Sequence, residues 1–322
     1  MEERYAIGVD ISARTTMVAL GNLRGEILHL LKAPTRTGDK NLLVEQVVSL
    51  VKNVMGKLRA SARVEGIGIG CAGILDIKKG TIVKAANLGI TNLPIRDILS
   101  DIFGCRVEML NDCTSGVLGE KFYGLGREFS NIVYVSIETG IGGGVILDNH
   151  LLLGKDGNAA EIGHITIDYN SPLICSCGGR GHWEAHCAES GITNFFKWFV
   201  RNLPEEKVRG SKVCSLIDKG VTIRADDIFK AARGGDPVAK EFVDEVGRVN
   251  AVGIASIINT YDPELITLGG RLFLDHQDLL FKPLLDHLRD YVTNRPPIIK
   301  PTPLNDNTTI YGGLALIFYG VP

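Results

Sequence analysis

What this chain of 322 residues lacks narrows it before any motif is read. No stretch approaches the ~18 uncharged apolar residues of a membrane span. The opening MEERYAIGVD has neither the basic nor the apolar region of a secretory leader. A cytoplasmic protein with no membrane partner is therefore expected. Long runs of one charge sign are missing too: 35 basic and 37 acidic side chains leave a formal net charge of -2, which argues against a surface for coating nucleic acid. Low-complexity tracts and disordered linkers do not occur. A disulfide framework is disfavoured by an odd count of seven cysteines, scattered from Cys71 to Cys214. Only Cys175 and Cys177 stand together in a suggestive setting, and in a reducing compartment such a pair reads as a metal site first.

What is present is a chain about twice the length of a typical domain. Its 45% apolar content suffices for one large core or two smaller ones flanking a cleft. Residues 5–9, 17–20 and 26–31 read as a meander of antiparallel strands, with turn signals at Gly21-Asn22 and Arg24-Gly25. Apolar spacing predicts a helix over 41–58. Strands at 64–70 and 106–110 bracket a helix over 94–103, and the second strand delivers Asn111 and Asp112 at its C-terminal end. A second cycle follows, with a helix over 113–123 and strands at 131–137, 144–147 and 151–153, so the strand-then-helix order repeats without visible sequence identity. Helices over 225–232 and 237–260, a strand at 265–268 ending in Gly269-Gly270, a proline-rich stretch at 295–303 and an apolar helix over 312–319 complete the chain.

Three segments carry chemistry. The first, Ser136-Ile137-Glu138-Thr139-Gly140-Ile141-Gly142-Gly143-Gly144, packs four glycines after a strand, and backbone N–H groups without Cβ atoms approach a phosphate closely. Glycines between two strands also serve as a plain hairpin. No Gly-Lys-Ser/Thr follows, which excludes a P-loop, and a strand rather than a helix comes next, which argues against a dinucleotide fingerprint. The second is Asp112, at a strand end before a helix. There it can accept the proton of an attacking hydroxyl, the role phosphoryl transfer requires, or simply cap the helix. The third joins His164 to Cys175, Cys177 and His182, two imidazoles and two thiolates among glycines, which suits a closed tetrahedral zinc site. His186 and Cys187 compete as ligands but fall in the helix that follows.

Taken in order, these pieces resemble the ROK family of repressors, open-reading-frame proteins and sugar kinases. The resemblance rests on Asp10 after the first strand, Asn87-Leu88, Asn111-Asp112, Thr139 to Gly144, Glu161-Ile162-Gly163-His164, the cysteine loop ending in Glu184, and Asp262-Pro263-Glu264 leading to Gly269-Gly270, and it spans nearly the whole chain. It implies an α/β protein of the actin-like (ribonuclease H-like) ATPase fold, with two α/β domains around a deep cleft. Residues 1–115 plus 302–322 would form one domain and 116–301, carrying the zinc loop, the other. It also implies a sugar kinase using ATP with Mg2+, in which Asp112 takes the proton of a hexose 6-hydroxyl. Asn87, Asn111, Glu161, His164 and Glu184 would bind the sugar, with Asn92 bordering the pocket. Asp10, Ser12, Arg14, Thr139, Gly140, Gly142, Gly269 and Gly270 would hold the nucleotide. His164 would serve both zinc and sugar. Glucose is the first substrate expected, an N-acetylmannosamine or N-acetylglucosamine kinase the alternative, and a homodimer or homotetramer the assembly.

Three departures from the family pattern stand out. Asp10-Ile11-Ser12-Ala13-Arg14 replaces Asp-x-Gly-x-Thr, so the first phosphate turn is rebuilt around Ser12 and Arg14. Glu138 stands beside the second phosphate loop where the family has a small residue. His182 takes the place of a third zinc cysteine, which predicts a Cys2His2 site. The repressor branch is the competing class, but the first strand begins at Tyr5, leaving no room ahead of it for a helix-turn-helix. A sugar-binding protein without catalysis is the third reading, disfavoured by the joint retention of Asp112, the 140–144 glycines and Gly269-Gly270.

Overall fold

A computed structural model describes residues 3–59 and 62–322. Two five-stranded sheets carry the same plan. In the first, β1 (Tyr5–Ile11), β2 (Thr15–Asn22) and β3 (Ile27–Pro34) form an antiparallel meander. On the other side of β1 come β4 (Val64–Cys71) and, after a small three-stranded sheet of β5 (Ile74–Asp76), β6 (Thr81–Ala85) and β7 (Ile90–Leu93), the strand β8 (Arg106–Asn111). The pairs β1–β4 and β4–β8 are parallel, and the order is β3-β2-β1-β4-β8. The second sheet repeats it as β11-β10-β9-β12-β13, from β9 (Ile132–Ile137), β10 (Ile141–Leu147), β11 (His150–Leu151), β12 (Leu265–Gly269) and β13 (Ile298–Pro301). The repeat read from element order is thus a repeat of topology, strand for strand.

Register places the chemistry. Ile11 pairs with Cys71 and Cys71 with Asn111, so three parallel strands end level and release Ser12, Ala72 and Asp112 along one edge. In the second sheet Gly269 pairs with Ser136, which sets Glu138 and Gly270 on the corresponding edge. Carboxyl edges of parallel strands are where α/β proteins bind ligands. Central strands are covered on both faces, which is why β1 and β12 read as continuous apolar runs with Ala6–Ile11 and Leu265–Gly269 buried throughout.

The C-terminal helix Thr308–Phe318 returns to the first sheet and packs on the Asp112–Tyr123 helix through glycines. A Cβ on Gly68 would lie 1.9 Å from the Gly313 carbonyl oxygen, and one on Gly312 would lie 1.8 Å from that of Ser115. Gly312 therefore sits inside the helix, which starts at Thr308 rather than at 312 as the sequence suggested. Other boundaries shift for similar reasons. β10 begins at Ile141, so Gly142, Gly143 and Gly144 are strand residues and not a turn. The proline-rich stretch contains β13, an edge strand where a missing N–H is tolerated. The short strands β5 to β7 escaped the sequence reading altogether, each being too brief to show a period. Among the described residues no helix is long and apolar enough to cross a membrane.

Gly68→Ala is expected to cost about 2 kcal/mol or more, since the methyl meets fixed backbone and not a side chain that can turn aside. Denaturant unfolding checks this. A stability equal to wild type would show that the helix can back away from the sheet.

Candidate active site

Between the two sheet edges lies a cleft with a larger cavity of about 730 Å³ and a smaller polar recess beside it. Asn87, Asn111, Asp112, Glu161, His164 and Glu184 all line the larger cavity, as do Thr139, Gly140 and Gly142. Asp10, Ser12, Arg14 and Gly270 line the recess. Ser12, Asp112, Cys113, Ser136 and Glu138 form the wall common to both. Gly269 lines neither: it is a buried strand residue whose Cβ would crowd the Tyr134 hydroxyl at 2.6 Å. Asn92 adopts a left-handed backbone conformation with φ 49° within β7 and is exposed outside the cavity lining.

Asp112 is the first residue of its helix, and the cap is Asn111, whose Oδ1 accepts from Cys113 N at 2.9 Å and Thr114 N at 3.3 Å. Asp112 Oδ1 also accepts from Cys113 N at 2.9 Å, and Asp112 lines both compartments of the cleft. Capping alone therefore does not account for Asp112. The helix reaches the cleft because β10 gives way to it: a Cβ on Gly142 would lie 2.6 Å from Cys113 Sγ, and one on Gly144 2.1 Å from the Cys113 carbonyl oxygen. The glycine run thus serves close packing between strand and helix. Gly140 serves another approach, its absent Cβ making room for Glu184 Oε2 at 2.5 Å.

Glu184 ties three pieces together. Its Oε2 accepts from Ile141 N at 3.0 Å, and its Oε1 accepts from Ser176 Oγ at 2.6 Å and Cys175 Sγ at 3.2 Å. Next to it His164, Cys175, Cys177 and His182 bring one donor atom each to within 4.8 Å of one another. His164 Nδ1 is 3.6 Å from Cys175 Sγ and His182 Nδ1 is 3.4 Å from Cys177 Sγ. These separations fit the edges of a small tetrahedral coordination shell. His164 Nε2 faces away, 3.8 Å from Glu161 Oε2 on the cavity side. Burial and the neighbouring His164 lower the His182 pKa, which favours the neutral, ligating form. His186 and Cys187 are spent elsewhere: His186 holds Ser171 Oγ and the His182 carbonyl, and Cys187 points to the Val246 carbonyl. Trp183, wholly buried, anchors the loop by donating to Asn250 Oδ1 at 2.9 Å.

The recess is acidic. Burial, then Asp112 and Glu138, push the Asp10 carboxyl well above its usual range, with Lys32 opposing. Asp10 is 7% exposed, and among the described residues no hydrogen bond or ion pair engages its carboxylate. Burial also raises Asp112, against the Cys113 N–H, and raises Glu138 together with Asp112 and Asp306. Glu161 is raised by desolvation and lowered by His164. Sequence reasoning missed Lys32, Arg271 and Asp306, which also line the recess. Lys32 sits on an edge strand and reads as a solvent-facing lysine, and nothing local marks Asp306. It also missed Asn158, which donates to the Leu75 carbonyl at 2.9 Å and accepts from Leu75 N at 3.0 Å, tying the loop after β11 to the small sheet.

Comparison with known proteins gives a consistent picture. A family model described as ROK family matches residues 6–318. A glucokinase of Pyrobaculum calidifontis is 32% identical over 312 residues, covering 97% of this chain and 94% of the relative. A xylose repressor of Caldicellulosiruptor bescii is 29% identical over 320 residues, covering 97% of this chain and 77% of the relative. Among solved structures, a ROK family glucokinase from Streptomyces griseus in complex with glucose and AMPPNP superposes with TM-score 0.78 at 28% identity, covering 97% of this chain and 98% of that one. The fold is that of the actin-like ATPases, as the sequence led one to expect.

Because the Asp10 carboxyl is raised, the folded protein retains a proton that the unfolded chain releases above about pH 4. Stability is therefore unaffected by Asp10 below that pH and falls as pH rises through the raised value. Asp10→Asn is expected to melt a few degrees above wild type near pH 7 without ligand, the gap closing toward pH 4. Thermal melts across this range test it, and coincident curves at neutral pH would refute it.

Proposed function

The chain belongs to the ROK family, and we propose that it is an ATP-dependent kinase transferring the γ-phosphate of ATP to the 6-hydroxyl of a hexose, with glucose first among candidates. The observation that carries this reading is the position of Asp112 on the wall shared by a cavity rich in polyol-binding groups and a recess suited to phosphates. The glucokinase relatives support the same reaction and the same first substrate.

In this reading the sugar lies in the larger cavity. Asn87, Asn111, Glu161, His164 and Glu184 hydrogen-bond its hydroxyls, Asn111 through Nδ2 because its Oδ1 is committed to the helix cap. Asp112 accepts the proton of the 6-hydroxyl, the oxygen attacks the γ-phosphorus, and ADP departs. A carboxyl whose proton affinity is raised by burial is a stronger base for that step. Asp10, Ser12, Arg14 and Gly270 hold the phosphates from the recess, while Thr139, Gly140 and Gly142 border the γ-phosphate from the larger cavity. Mg2+ arriving with the nucleotide would neutralise phosphate charge, and the buried, unengaged carboxylate of Asp10 suits a place beside it. The return of the C-terminal helix to β1 and β4 supports grouping residues 302–322 with the first domain, 1–115, apart from 116–301, although the 115/116 boundary falls within the Asp112–Tyr123 helix.

The four donors of the cysteine loop suit structural Zn2+, since the set is Cys2His2 and no position is left for substrate. Zinc there would fix His164 through Nδ1 so that Nε2 meets the sugar, and would hold the loop to which Glu184 is bonded.

Coupled ADP-release assays over glucose, mannose, glucosamine, N-acetylglucosamine and N-acetylmannosamine test the reaction. Asp112→Asn is expected to lose about 10²–10⁴ in kcat while sugar binding by calorimetry persists. Turnover by none of these sugars, or full activity of the variant, would overturn the assignment. Elemental analysis is expected to find about one zinc per chain, and chelation to lower both melting temperature and sugar affinity. A metal-free protein with unchanged sugar affinity would refute the scaffold role.

A further inference from the structure

Three cations line the phosphate recess: Arg14, Lys32 and Arg271. Each is held by a carboxylate. Lys32 pairs with Asp306 at 3.6 Å, itself part of the recess, and Arg271 pairs with Asp275 at 3.2 Å within one helix. Arg14 differs, because its partner Glu189 stands on the opposite side of the cleft, although Glu189 and Asp275 alike line neither compartment.

Both ends of this pair have fixed backbones and free side chains. The turn carrying Arg14 is closed by Ser12 N donating to the Thr15 carbonyl at 3.1 Å and Thr15 N donating to Ser12 Oγ at 3.2 Å, and Thr35 N donates to the Arg14 carbonyl at 3.1 Å. Glu189 opens the helix Glu189–Arg201, and its N–H donates to the Glu138 carbonyl at 2.9 Å, beside the glycine strand. The side chains are 47% and 32% exposed, so water weakens the pair that joins them. A phosphate offers a guanidinium two or three oxygens in bidentate geometry at higher charge, and it competes well for such a cation.

The recess needs a cation that can be released. Asp10, Asp112, Glu138 and Asp306 all face it, and a polyphosphate entering meets four carboxylates. Lys32 is held by one of those carboxylates, so moving it to the phosphate uncovers a negative charge inside the recess. Moving Arg14 or Arg271 uncovers a partner carboxylate that lies outside the recess, and of these two only Arg14 is drawn across the cleft.

We propose that Glu189 is a placeholder for nucleotide phosphate: it holds Arg14 in the empty enzyme and yields it to the incoming phosphoryl donor. The ion pair between the lobes is thereby exchanged for one between protein and nucleotide. The inference rests on the kinase reading and adds to it a residue that touches neither sugar nor phosphate.

The alternative is a plain latch, in which Arg14 and Glu189 only hold the lobes together, and the two differ in sign. If the pair is a latch, Arg14→Ala and Glu189→Gln shift nucleotide affinity in the same direction. If Glu189 is a placeholder, Arg14→Ala weakens AMPPNP binding by about tenfold or more, the worth of a hydrogen bond to a charged group. Glu189→Gln strengthens it about two- to fivefold, the worth of an exposed pair. In the Arg14→Ala background Glu189→Gln is then silent. Calorimetry of the full-length wild type and the three variants reads this, with Arg14→Lys expected to recover part of the loss and glucose binding as the control for folding. Equal signs, or a Glu189→Gln effect that survives without Arg14, overturn the placeholder while leaving the kinase reading intact if wild type phosphorylates a hexose. A wild type that binds no nucleotide overturns both.

Discussion

The site depends on one close approach, that of the Asp112 helix to β10. Without side chains at Gly142 and Gly144 the strand lies directly against Cys113, and the first turn of the helix projects into the gap between two sheets. Everything with a chemical role is arranged around that projection. Asn111 caps it, Asp112 ends it, and Glu138 and Ser136 leave the neighbouring strand beside it. A methyl group at 144 would overlap the Cys113 carbonyl, so the strand and helix would have to separate and carry Asp112 away from the shared wall.

The same constraint explains what could be read from the sequence and what could not. Strand ends, buried apolar runs and the order of motifs are local, so β1, β4, β8, β9 and β12 and the residues at their ends were legible within a position or two. The purpose of the glycines was less legible. A run such as Gly140 to Gly144 reads equally as a phosphate loop or a hairpin, and its use against Cys113 and Glu184 emerges only when a helix and a loop distant in sequence arrive on it. Lys32, Asp306, Asn158 and Glu189 were invisible for a related reason. Each is an ordinary surface-type residue until folding brings its partner from far along the chain.

Carboxyl groups line both parts of the cleft. In the recess Asp112 raises both Asp10 and Glu138, beyond the effect of their burial. In the larger cavity Glu161 is raised as well, by burial and by Asp112 and Glu184 against the opposing His164, while Glu184 accepts from an N–H and a hydroxyl.

The contact between Asn158 and Leu75 copies a rung of β-ladder with a side-chain amide. With the Arg14–Glu189 pair, it means that two polar contacts, both replaceable by water, help to hold the lobes together at the mouth of the cleft. Polar contacts of this kind can be exchanged for contacts to water, so neither by itself locks the two sides of the cleft together.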